Sequence, residues 1–107
     1  MNKPTIKTAP DHTFHTSGYV TKKQYLFTVT PGIPLADALN SVSDLLDTII
    51  EPIFAAGMEE QPLQGNAAWV VLHTLRSAKA VVDSLWDASV EADRAASQPD
   101  AAQPAKE

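Results

Sequence analysis

His12 and His15 stand close together beside Asp11, and two imidazoles next to a carboxylate are potential metal ligands. A structural zinc site needs four ligands in ordered geometry. The flanking residues are Thr-, Pro- and Lys-rich, so an incidental polar segment is the simpler reading and no metal is assigned. A second group is Trp69, His73 and Arg76, spaced by helical turns. Trp beside His and Arg is a composition that anchors partners. The plainer alternative packs Trp69 under the Tyr25–Val29 segment with its indole N–H bonded. Catalysis by His73 would need a nucleophile or an orienting acid, and neither is spaced to meet it. Asp44, Asp47 and Glu51 form a third group, and paired carboxylates can run hydrolysis or hold hard cations. A ridge along one helix is convex and lacks a second ligand set, so it reads as a solvated face. Glu59-Glu60 reads the same way. No cofactor is expected, and the chain is not expected to be an enzyme.

The elements that carry these residues follow from the apolar spacing. Leu35, Ala38, Leu39, Val42, Leu45, Leu46, Ile49, Ile50, Ile53 and Phe54 recur with helical period. At about 100° per residue they cover roughly 180° of the circumference. Pro34 suits a first turn, where its missing N–H costs nothing, and Asp37 complements the helix dipole. Pro52 predicts a kink or an end nearby, and Gly57 a final stop. The loop EEQPLQGN over Glu59–Asn66 leads to a second helix capped by Asn66 and running to about Arg94. There Ala67, Val70, Val71, Leu72, Leu75, Ala78, Val81, Val82, Leu85 and Trp86 share one broad side. A short loop makes the two helices antiparallel neighbours.

In front of the helices, Tyr25, Phe27 and Val29 alternate with Gln24, Leu26, Thr28 and Thr30 and predict a short strand ended by Pro31-Gly32. A lone strand is not stable, and the nearby sequence offers no good second strand. It is expected to pair with its counterpart in another copy or to lie across the helices. Residues 1–18 hold only Ile6 and Phe14 as large apolar groups near the start and are expected to be disordered. Residues 96–107 read as a second disordered tail. The helical domain then spans 19–95.

The chain has 107 residues, no cysteine and a net charge of −5. So small a domain is marginal alone, and oligomerisation is the usual remedy where disulfides and thiolate metal sites are absent. Its acidity disfavours nucleic acid and anionic lipid. Neither a signal-peptide core nor a membrane-length apolar run is present, so a soluble, cytoplasmic protein is expected.

Several stretches resemble a bacterial family of short proteins known as domain of unknown function thirty seventy-seven. They are LFTVTPG at Leu26–Gly32, DAL at Asp37–Leu39, SDLL at Ser43–Leu46 and WVVLHTLRSAKAVVDSL from Trp69 to Leu85. The likeness covers about Tyr25 to Trp86. It supports the helical reading and implies no activity. By element order alone the chain also resembles the ribbon-helix-helix repressors, with Lys22-Lys23 before the strand and Gln24, Thr28 and Thr30 as base readers. The helices are long for that plan, and Val20–Leu85 carries four basic against seven acidic residues.

The expected fold is all-α, an antiparallel two-helix hairpin behind a short strand, dimerising into a four-helix bundle. One helix contact needs a stripe about 100° wide, and these stripes are nearer twice that. Leu39, Val42, Leu46, Ile49, Ile53, Leu75, Val82, Leu85 and Trp86 are expected to carry the core and the dimer. Trp69, His73 and Arg76 are the candidate outward surface for another protein. The expected role is a non-enzymatic interaction or regulatory module, with a ribbon-type DNA-binding regulator as the alternative.

Overall fold

The computed structural model describes residues 5–16 and 24–97. Within them the order is β1 (Thr13–Thr16), β2 (Tyr25–Thr28), α1 (Leu35–Gly57) and α2 (Asn66–Ser97). The expected helical hairpin is present, with a two-stranded antiparallel sheet laid against α2.

Pro34 lies just outside α1 in extended conformation, and its carbonyl accepts the first helical hydrogen bond from the Ala38 N–H at 2.9 Å. Pro52 neither ends α1 nor stops it early, because the helix continues for another turn to Gly57. Ala38, Val42 and Ile49 are buried along the preceding turns. The left-handed residue that closes α1 is Glu59 (φ 60°), beyond Gly57, with the Glu59 N–H donating to the Ala56 carbonyl at 3.0 Å. Asn66 is the first residue of α2 and not its cap. That position belongs to Gly65 (φ 63°), whose carbonyl accepts from the Ala68 and Trp69 N–H groups. α2 outlasts the expected end at Arg94 by three residues, to Ser97.

Residues 5–16 depart from the expectation of disorder. The Thr8 N–H donates to the Ile33 carbonyl at 2.8 Å, the Gly32 N–H to the Thr8 carbonyl at 2.9 Å, and the Leu35 N–H to the Ile6 carbonyl at 2.9 Å. The Thr8 hydroxyl, itself buried, donates to the Thr30 carbonyl and accepts from the Ile33 N–H. The chain then enters β1, which pairs with β2 in the register Thr13 to Thr28, Phe14 to Phe27 and Thr16 to Tyr25. The strand's partner is therefore upstream in the same chain, not in another copy. Few apolar side chains are needed for this, because saturated main-chain groups and one buried hydroxyl hold the segment. Lys22, Lys23, residues 1–4 and 17–18 of the expected N-terminal segment and residues 98–107 of the expected 96–107 tail lie outside the described residues, while residues 96 and 97 are helical.

Candidate interaction surfaces

Of the nine residues expected to pack, Val42, Ile49 and Leu85 are buried within the hairpin. The other six, Leu39, Leu46, Ile53, Leu75, Val82 and Trp86, are exposed, from 38% for Leu46 to 64% for Trp86. Their placement follows from helix geometry. On α1 the exposed apolar residues sit roughly 60° round from the buried Ala38–Val42–Ile49 stripe, in the direction of increasing angle. On α2 Leu75, Val82 and Trp86 are offset in the same sense from Val71, Ala78 and Leu85. Because the helices are antiparallel, equal offsets bring both exposed stripes to one side of the hairpin. At the open end the two stripes share a groove of about 260 Å³ lined by Ile6, Leu35, Leu39, Val82, Leu85 and Trp86.

The sheet occupies a different side of α2. Ala80 and Ser84, both buried, face it there. Small residues one turn apart let the N-terminal segment approach the helix backbone closely. Apolar periodicity does not flag them, because one is polar and the other minimal. The Ser84 hydroxyl accepts from the Ala9 N–H at 2.6 Å and donates to the Ala9 carbonyl at 2.9 Å. His12 Nε2 meets Asp87 Oδ2 at 2.6 Å one turn further along.

His15 and His73 do come together, with ring centroids 5.4 Å apart in a T-shaped contact. Phe27 stacks on Phe14 at 5.6 Å and lies 5.5 Å from His73. Those rings fill the space expected for the other indole arrangement, so Trp69 is not tucked under β2 and stands 68% exposed. Trp69, His73 and Arg76, with His15 and Leu72, line a hollow of about 280 Å³. Among the described residues the ion pairs are His12–Asp87, Lys79–Asp83 and Arg94–Glu91, and Arg76 is in none of them.

His12 and His15 diverge, one to Asp87 and the other to the ring cluster. Among the described residues no group of three or more His, Asp or Glu side chains could hold a metal ion. Asp44, Asp47 and Glu51 are all exposed along α1. Glu51 borders a hollow at the helix turn with Pro52, Ala55, Pro62, Leu63 and Ala67 and brings no second carboxylate to it. The ribbon β1–β2 forms within one chain, whereas the repressor plan pairs one strand from each of two copies. No described helix is long and apolar enough to cross a membrane.

A family model with the description "Protein of unknown function (DUF3077)" matches residues 8–88. The match reaches upstream of the likeness legible in the sequence to Thr8, the residue whose hydroxyl pins the N-terminal segment. No curated protein and no solved structure matches the chain.

Proposed function

We propose that this chain, which belongs to the DUF3077 family of proteins of unknown function, is a non-enzymatic cytoplasmic interaction or regulatory module that self-associates as a homodimer through the apolar side of its hairpin. The observation that carries this reading is the common exposure of Leu39, Leu46, Ile53, Leu75, Val82 and Trp86 on that side. Fully burying one such side chain is worth ~1.5–3 kcal/mol, and these six are each about half exposed. Their sum rivals the low end of domain stability, ~5 kcal/mol. Contiguous apolar patches on soluble proteins commonly mark interaction sites. A two-fold contact covers two copies of this patch with each other, since such an interface is self-complementary. Trp69, His73 and Arg76, which line one hollow with His15, provide a second, outward surface for another protein.

Sedimentation of Leu46→Lys and Val82→Glu beside the parent chain tests the reading. Both positions are exposed in the single chain, so both variants are expected to stay helical by circular dichroism and to run as monomers, while the parent runs as a dimer. A parent that stays monomeric at every concentration overturns it.

A further inference from the structure

We propose that the two-fold axis of the dimer runs along the helices, so that each α1 lies beside the partner's α2; this rests on the self-association proposed above. Levels along the hairpin are fixed at both of its ends. At its open end Leu35 and Leu39 share a groove with Val82, Leu85 and Trp86, and at the turn Ala55 shares a hollow with Ala67. Both helices rise about 1.5 Å per residue. Counting inward from either end places Asp44 level with Lys79 and Asp47 level with Arg76. All four side chains are exposed. Asp47 borders the outer edge of the α1 apolar stripe beside Ile50 and Phe54. Lys79 borders the outer edge of the α2 stripe beside Leu75 and Trp86, and Arg76 lies about 60° further round, toward the sheet. The α1 rim therefore carries Asp47, and on the α2 rim, where Asp83 is paired with Lys79 and Asp87 with His12, Arg76 is in no ion pair among the described residues.

Two aligned two-fold arrangements lay that face on its copy. An axis along the helices turns the hairpin side for side. Nothing moves along such an axis, so levels are kept and the α1 flank, with Asp47, comes beside the partner's Arg76 and the partner's Lys79. An axis across the helices turns the hairpin end for end. Then α1 lies on α1, and Asp47, near the middle of the helix, comes beside the partner's Asp47. Both arrangements bury the same apolar stripes, so the flanking charges decide between them. Opposite charges across a helix contact attract and like charges repel. Lys79 also bonds Asp83 within its own helix at 2.7 Å, and an ammonium group has two further donors to offer.

The test is sedimentation equilibrium of the full chain and of Asp47→Lys at low ionic strength, with circular dichroism confirming equal helicity. Asp47→Lys is expected to raise the dimer dissociation constant roughly tenfold, from two symmetric contacts turned repulsive. Added salt shrinks the difference, and adding Arg76→Glu to the same chain restores the affinity. Tighter or unchanged association of Asp47→Lys overturns the axial arrangement while leaving the dimer standing. A monomeric parent removes the dimer itself. A second readout is cross-linking at introduced cysteines, since the chain has no native one. Asp47→Cys and Arg76→Cys chains, mixed and treated with a short bis-maleimide, are expected to give mixed cross-linked dimers. Cross-links confined to pairs of Asp47→Cys chains overturn the proposal.

Discussion

Ser84 and Ala9 lie 75 residues apart and exchange two hydrogen bonds, the Ala9 N–H donating to Ser84 Oγ at 2.6 Å and Ser84 Oγ donating to the Ala9 carbonyl at 2.9 Å. Ser84 is fully buried, at 0% exposure, so the hydroxyl is the clip that fastens the N-terminal segment to α2. Its removal leaves two partly buried main-chain groups without partners, at a cost of about 1–3 kcal/mol.

Ser84→Ala is therefore expected to lower the melting temperature and to speed tryptic cleavage at Lys7. Trypsin cuts released backbone, and Lys7 lies two residues before Ala9 in the clipped segment. Equal melting and equal cleavage would show that the Thr8 contacts hold the segment without the clip.

Buried and exposed apolar positions on the same helices should respond differently. Ile49→Ala and Leu85→Ala remove side chains buried between α1 and α2 and are expected to cost about 2–5 kcal/mol in urea unfolding. Ile50→Ala, one residue along on the exposed apolar face, is expected to cost the fold far less once the chain is diluted to monomer. Similar losses at Ile49 and Ile50 would mean that the hairpin packs on a different side from the one described.

The two helices are legible in the sequence because each side of each one is written in local spacing. Leu35 to Phe54 and Ala67 to Trp86 repeat with helical period, and both helices occur where that period runs. The width of the stripes also signals more apolar surface than one contact covers, which is where six of nine expected packing residues are exposed. β1 is not legible, because nothing local to residues 13–16 stabilises it. Its bonds run to Tyr25–Thr28, and the segment before it depends on Thr30, Ile33 and Ser84, all distant in sequence. Composition registers apolar bulk, and this segment is held by main-chain saturation and hydroxyls. The His15–His73 contact shares that origin, since it exists only once β1 lies along α2.

Pro52 is expected to weaken the fold it sits in. A proline inside a helix leaves the carbonyl four residues earlier without its donor, here that of Thr48, and typically costs ~3 kcal/mol. Pro52→Ala should raise the urea midpoint, with a gain of about 1–3 kcal/mol after the loss of ring contacts at the helix turn. A lowered midpoint would assign those contacts in the turn hollow the larger share.

Passage over immobilised duplex DNA at low salt is expected to give no retention. The ribbon is closed within one chain, and the region from Val20 to Leu85 holds more acidic than basic residues. Retention that falls steeply with added salt would instead revive the DNA-binding alternative.

The mass of the intact chain in solution, followed by light scattering through a dilution series, bears most directly on the account. If a second copy covers the exposed stripe shared by α1 and α2, as proposed, the particle has twice the 11.5 kDa chain mass and dissociates only on dilution. A particle of 11.5 kDa at every concentration, with its helices intact, would contradict it.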